Sequence, residues 1–353
     1  MKLTDICEFH GGSQPPKSEW SSEYKDGYIR MLQIRDFTQE GRVTPEYVKI
    51  SNRLRLCTED DILIGRYGAS VGKILSGKSG AYNVAIMKAV PDTSVVRKQY
   101  LRYYFLSPNF QNYILNLGGR AAQAGFSKDD LARLEITVVS LEEQDKIVNE
   151  LSTLEKTIST KQKQLKEFDD LVKSRFIEMF GDPQNNNKQF PTKKLIDVVT
   201  LQRGHDLPVQ NRDSHGSVPV YGSNGVLGFH TIAKCDRGII TGRSGTIGEV
   251  YVSEEPFWPL NTTLYSNNTH GNNLIYLKYL LMFFNLKRFK SGAGVPTLNR
   301  NEFHGKEIMD VPIELQNEFA DFVKLIDKSK FIVQKQIDDL QELLDSKMDE
   351  YFG

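Results

Sequence analysis

The sequence predicts an α+β protein. Two mixed α/β lobes are each followed by a long helix, and the two helices pair as an antiparallel intrachain coiled coil with pseudo-two-fold symmetry. Three observations carry this expectation. First, the chain repeats once: KLTDICEFHGG (2–12) returns as KLIDVVTLQRG (194–204), GRYGASVGK (65–73) as GRSGTIGE (242–249), and YLRYYFL (100–106) as YLKYLLM (276–282). Residues 124–181 align without a gap on 296–353, at a constant offset of 172, with 14 identities in 58 positions. Second, each copy opens with a stretch rich in Gly, Pro, Asn and Tyr, holding short β-branched runs such as ILIG (62–65) and RGIITG (237–242), the composition of strands separated by turns. Third, each copy closes with a stretch almost free of Gly and Pro, whose apolar residues are spaced alternately by three and four.

The elements follow in order. Residues 1–139 form the first lobe and 140–181 the first long helix, with Ile147, Leu151, Leu154, Ile158, Leu165, Phe168, Val172 and Met179 along one seam. Residues 182–312 form the second lobe, opened by DPQNNNKQFP (182–191), whose Asn run and two prolines suit an exposed linker. Residues 313–353 form the second helix, with Phe319, Val323, Ile326, Val333, Ile337, Leu340, Leu344 and Tyr351 on its seam. A seam kept over four heptads is a coiled-coil pattern, and the repeat supplies each helix with a partner. The polar interruptions Lys161, Arg175, Lys330 and Lys347 are candidates for setting an antiparallel register. Phe168, Phe176, Leu340 and Met348 read as core rather than as a partner site.

Composition narrows the function. The chain has 353 residues, 39% hydrophobic and 25% charged, the values of an ordinary globular protein. Cys7, Cys57 and Cys235 are too scattered for a disulfide framework or zinc cluster and read as reduced thiols in the cytoplasm. The most apolar run, YLKYLLMFF (276–284), is too short to cross a bilayer, so secretion and membrane insertion are not expected. The net charge is zero, but it is partitioned. Residues 1–138 carry 19 basic against 15 acidic groups and 182–312 carry 14 against 11, whereas 140–181 carry 7 against 9 and 313–353 carry 5 against 10. Basic lobes on acidic helices are compatible with a clamp on a polyanion, and equally with ordinary scatter on a solvated surface.

No catalytic pattern is legible. GRYGASVGK has the flavour of a phosphate loop, but Tyr67 stands where its first glycine belongs and Ile74 where a magnesium-binding hydroxyl belongs. The second copy has Glu249 in place of Lys73, so what the repeats share is a glycine pattern that shapes backbone. The six histidines show no metal spacing, and there is no nucleophile elbow, no dinucleotide fingerprint and no base-flipping methyltransferase tetrapeptide. The chain is expected to bind and not to catalyse, with no cofactor and no metal of its own.

Taken together these blocks resemble the specificity subunit of type I restriction–modification systems. The resemblance runs over essentially the whole chain. In the second half it rests on VPVYGSNGVLGFH (218–230), GIITGRSGTIGEVYV (238–252), LNTTLY (260–265), PTLNRNEF (296–303) and VPIELQNEF (311–319). In the first half it rests on DDILIGRYGASVGKI (60–74), YNVAIM (82–87), AAQAGFSKDDL (121–131) and ITVVSLEEQDKI (136–147). The first half lacks the Tyr-Gly-Ser-Asn-Gly block, so its early loops must differ, and Val295 replaces Gln123 in the second. The resemblance implies a subunit that binds a bipartite double-stranded DNA site, one half per lobe, with the coiled coil fixing the unread gap. It implies two methylation subunits that use S-adenosylmethionine to modify adenine, restriction subunits where present, and no activity in this chain.

Base reading needs Arg for guanine and Asn or Gln for adenine, and several such residues fall in expected loops. Arg66 and Tyr67 in GRYG, and Arg243 and Ser244 in GRSG, sit on glycine-rich turns where backbone could approach DNA. The bland alternative is that the shared Arg packs structurally. Lys73 follows the first of these turns and joins the DNA-contact candidates. Arg30, Gln33 and Arg35 are expected along a strand-like run, RMLQIRDF (30–37), facing either a groove or solvent. Tyr221, Ser223 and Asn224 occupy a tight turn whose Asn-Gly could serve only a positive φ. Arg120, Gln123, Ser127 and Lys128, matched in part by Asn299 and Arg300, suit phosphate contact, although Ser127 or Asn299 could simply cap a helix. Two other classes remain open: a two-lobed scaffold binding protein or RNA, and an enzyme with an unrecognised site in one lobe.

Overall fold

The computed structural model describes residues 1–39, 41–118, 125–213, 215–292 and 296–353. It divides into two compact units, Met1–Thr160 with Gln336–Gly353, and Lys161–Lys335. Each unit holds one lobe together with stretches of both long helices.

In the first lobe, β1 (Cys7–Gly11), β4 (Ile62–Gly65), β5 (Ile74–Leu75) and β7 (Ile86–Pro91) form an antiparallel sheet in the order β1-β7-β4-β5. A second sheet holds β2 (Tyr28–Leu32), β3 (Tyr47–Lys49) and β6 (Gly80–Tyr82), with short strands at Trp20–Ser21 and Leu56–Cys57 on its edges. The second lobe repeats this plan. Its first sheet has β8 (Thr200–Arg203), β11 (Gly238–Gly242), β12 (Val250–Ser253) and β14 (Thr263–Asn268) in the order β8-β14-β11-β12. Its second has β9 (Val218–Gly222), β10 (Gly225–His230) and β13 (Trp258–Pro259). In both lobes the second sheet pairs one strand antiparallel to its sequence neighbour and parallel to a later strand: β2 with β3 and β6, β9 with β10 and β13. The β-branched runs in β4 and β11 are buried along their whole length, as strands with covered faces require.

The lobes part company between the paired strands. In the second lobe β9 and β10 are joined by the two residues Ser223 and Asn224, since Gly222 pairs with Gly225. In the first, β2 and β3 are joined by residues 33–46, which include a short helix at Ile34–Thr38. This corrects the expectation of a strand over 30–37. The strand stops at Leu32, because Asp36 accepts the Gln33 backbone N–H at 2.8 Å and so starts a helix.

Each lobe closes on helices that meet the long pair. Helix α1 (Lys98–Leu106) leads into α2 (Pro108–Gly118), and α4 (Leu274–Phe284) is their counterpart in the second lobe. The long helices α3 (Leu141–Phe180) and α5 (Ile313–Phe352) have 40 residues each, which makes them about 60 Å long. They pack together, and contacts within each unit mark the pairing. In the first unit Tyr351 donates to Glu150 at 2.6 Å and Lys347 lies 3.4 Å from the same carboxylate. In the second, Lys330 pairs with Asp169 and Arg175 lies 2.8 Å from Glu318. Rising numbers on α3 meet falling numbers on α5, so the pairing is antiparallel, and Arg175, Lys330 and Lys347 of the polar interruptions form cross-helix ion pairs. Phe176 and Met348 are buried, each in the core of its own unit. The linker 182–191 is a hydrogen-bonded turn, in which Asn186 donates to the Phe190 carbonyl at 2.7 Å.

One device ties helix to lobe in both units. Gln144, in the first turn of α3, is wholly buried; its Oε1 accepts the Arg97 N–H at 2.7 Å, and its Nε2 donates to Val95 and Val139 carbonyls at 3.0 and 2.8 Å. Gln316, at the same place in α5, accepts the Asn273 N–H at 2.9 Å and donates to Asn272 Oδ1 and the Val311 carbonyl at 2.7 and 2.8 Å. Gln144→Leu and Gln316→Leu should each destabilise their unit, the orphaned backbone N–H alone costing about 1–3 kcal/mol. Chemical denaturation of the two variants checks this, and an unshifted midpoint would contradict it.

Candidate nucleic-acid interface

The glycine-rich turns of the two lobes are built alike. The backbone doubles back so tightly after β4 and β11 that a Cβ on Gly65 would sit 2.1 Å from the Ser70 carbonyl, and one on Gly242 1.7 Å from that of Thr246. Only glycine fits there. The turn is then pinned to the segment before the lobe–helix junction: Tyr67 bridges Gly125, and Ser244 bridges Thr297. These contacts bring GRYG beside FSKDDL in the first lobe and GRSG beside TLNRNE in the second.

Inside these turns the arginines face their own scaffold. Arg66 reaches the Phe126 carbonyl at 3.5 Å through Nε and Nη2 and lies 5.0 Å from the Tyr67 ring centre. Arg243 donates to the Asn261 carbonyl at 3.3 Å. Both are partly buried, whereas Tyr67 and Lys73 are exposed. Ser127 caps the short helix at Lys128–Leu131, accepting the Asp130 N–H at 3.3 Å, while Lys128 is exposed. Arg120 and Gln123 lie outside the described residues.

In the second lobe the turn opens onto a cleft of about 420 Å³ lined by Arg203, Arg243, Leu264, Ser291, Thr297, Leu298, Asn299, Arg300 and Asn301. Three sequence candidates, Arg243, Asn299 and Arg300, converge here, and Arg203 joins them from the end of β8. Sequence reading missed Arg203; its signal was its place beside Gly204, the closing glycine of the repeated KLIDVVTLQRG block. Asp206 lies 3.6 Å from Arg203, and among the described residues no carboxylate pairs with Arg243 or Arg300. Asn299 Oδ1 accepts the Asn301 N–H at 3.1 Å, opening the short helix at Asn301–His304. The hairpin tip lies against the glycine turn. The Ser223 Oγ lies 3.3 Å from where a Cβ on Gly245 would stand. Gly225, at φ 96°, carries the positive φ of the turn, and Tyr221 packs edge-on against Phe257 with ring centres 5.7 Å apart.

The matching candidates of the first lobe are differently engaged. Arg30 pairs with the buried Asp36, Arg35 pairs with Glu46, and Gln33 donates to Glu46 at 2.6 Å. Their donors are spent largely on two carboxylates of the 33–46 excursion, so Arg30, Gln33 and Arg35 form one ionic cluster and not a row along a strand.

Behind the cleft, buried His304 accepts the Leu201 N–H on Nε2 at 3.2 Å, which requires a neutral ring. Burial, and then the Arg300 charge, hold its pKa below the ordinary 6.5. The folded value is depressed, so its stabilising effect is complete above about pH 6.5 and is lost as pH falls through the folded value, where the unfolded chain binds the proton first. Ala132 stands at the equivalent place in the first lobe, so this titration belongs to the second. Thermal unfolding between pH 8 and pH 5 should show a loss below 6.5 that His304→Gln reduces; equal slopes in the two proteins would refute it.

Residues 1–168 and 187–342 match the family described as the type I restriction modification DNA specificity domain. The type I restriction enzyme MjaIX specificity subunit of Methanocaldococcus jannaschii is 23% identical over 402 aligned residues, covering 98% of this chain and 90% of the relative. The MjaVIII specificity subunit of the same organism is 23% identical over 58% of this chain and 49% of its own length. Among solved structures, the S subunit of a type I restriction–modification system from M. genitalium has a TM-score of 0.60 at 17% identity, covering all of this chain and 95% of that one. A chain from a study of complex assembly and conformational transition of the type I system has a TM-score of 0.63 at 13% identity, with coverage of 100% and 96%. These two likenesses concern the fold.

Proposed function

The chain belongs to the type I restriction–modification DNA specificity family, and on that footing we propose that its two lobes, within residues 1–139 and 182–312, each read one half of a split duplex site. The observation that carries this reading is the repeat itself: one sheet plan built twice, with different connections exactly where the strands of the second sheet turn. Similar scaffolds bearing different loops are what two unlike half-sites require. As a specificity subunit it is the non-catalytic, DNA-recognising member of its system. Two methylation subunits, docked near the lobe–helix junctions, modify adenine in each half-site with S-adenosylmethionine, and restriction subunits add cleavage where the host has them.

The long helices set the unread gap. A B-DNA turn rises about 34 Å, so helices of this length can hold two readers about one turn apart. Removing one heptad from both helices takes away about 10 Å, or about three base pairs at about 3.4 Å each. Long-read mapping of methyladenine in cells carrying the gene should reveal one split motif that vanishes on deletion of the gene, and the heptad-deleted protein should methylate the same two half-sites with a shorter gap. No lost motif would refute the reading; an unchanged gap would refute the ruler.

The arginine-lined cleft contributes phosphate contacts. Arg203→Ala and Arg300→Ala, in the complex with the methylation subunits, should weaken binding on all sequences alike and each lower the slope of log affinity against log salt by about 1. Binding titrations from 50 to 200 mM salt test this, and an unaltered slope counts against the assignment.

A further inference from the structure

We infer that Val226 and Leu227, on the β9–β10 hairpin, read the 5-methyl group of thymine in the half-site taken by the second lobe; this rests on the DNA-reading role proposed above. Both lie in β10 where the register with β9 shifts, Leu227 being the extra residue between the Val220–Gly228 and Tyr221–Val226 pairs, and Val226 is 47% and Leu227 51% exposed. Two adjacent aliphatic groups left to water beside a polar cleft call for an apolar occupant.

Their placement says which occupant. They follow the hairpin tip directly, and that tip lies through Ser223 against the GRSG turn, whose Arg243 lines the cleft with Arg203 and Arg300. They are also held rigidly. The connection has only two residues, Tyr221 is clamped on Phe257, and Leu227 lies over Gly222, where a Cβ would come within 2.2 Å of its Cδ1. In the major groove thymine alone presents an apolar group, its methyl, and aliphatic side chains are the natural match for it.

The first lobe argues against a protein partner on this surface. A surface for the methylation subunit, of which the complex holds two copies, would recur in both repeats. Here β3, the counterpart of β10, carries Tyr47, Val48 and Lys49, with Val48 buried, and so no exposed aliphatic pair. The surface differs between the lobes as base reading requires and as shared docking does not.

The test uses the complex with its methylation subunits and duplexes bearing its motif. Each thymine is replaced in turn by uracil, which keeps the pairing and removes only the methyl. Affinity should fall about fourfold at one thymine, the worth of one buried carbon, and the same replacement should make little difference to Val226→Ala/Leu227→Ala. Those positions are exposed, so the variant should keep the unfolding midpoint of the parent. The inference is overturned if no uracil lowers affinity, or if the loss persists undiminished in the variant, as it would were the hairpin only a protein contact. Absence of any split motif would sink the DNA-reading role as well, whereas a split motif indifferent to thymine methyls sinks this inference alone.

Discussion

Everything distal in this protein depends on a buried amide. Gln144 and Gln316 enter the cores of their units at the first turn of each long helix, and each satisfies one acceptor and both donors there. Every partner is backbone or a side chain locked beside it, and among them are the N–H groups of Arg97 and Asn273, at which α1 and α4 begin. One side chain therefore fixes the starts of two helices at once. Hydrophobic packing alone is poorly directional; an amide with all its bonds made allows one geometry. The direction in which each long helix leaves its lobe is set at that point.

Much of the fold was legible because the repeat constrains it twice. The change from strand-like runs to a three-and-four apolar spacing marks where each lobe ends, and an apolar seam with a second copy in the same chain has an intramolecular partner. Legibility failed where local chemistry outweighed periodicity. In RMLQIRDF the apolar positions suit a strand, but Asp36 reaches back to the Gln33 N–H and turns the chain into a helix after Leu32. Likewise, nothing in the spacing of Arg30, Arg35 and Glu46 announces that they pair across the excursion, because those contacts depend on where β3 brings the chain back.

The candidate interface was legible in the second lobe as separate motifs but not as one place. GRSG, NRNE and YGSNG lie far apart in sequence, and it is the Ser244–Thr297 bridge and the contact of Ser223 with the glycine turn that assemble them. Arg203 was invisible for the same reason. It ends a strand whose pairing with β14 carries it to the cleft, and its place beside the repeated Gly204 does not by itself tell that it lines one.

The two arginines common to both repeats show how sameness and difference are divided. Arg66 and Arg243 spend their guanidinium groups on backbone carbonyls, holding turns that both lobes need in the same shape. A group used in this way is a poor discriminator between sequences, since it is no longer free to choose a base. Discrimination must come from side chains that the scaffold does not use. In the second lobe the aliphatic pair on β10 is left unused in this way, whereas in the first Arg30, Gln33 and Arg35 are engaged with Asp36 and Glu46. The glycine turns and the buried glutamines hold backbone in the same way in both lobes, and that constancy leaves the connections between the strands free to diverge.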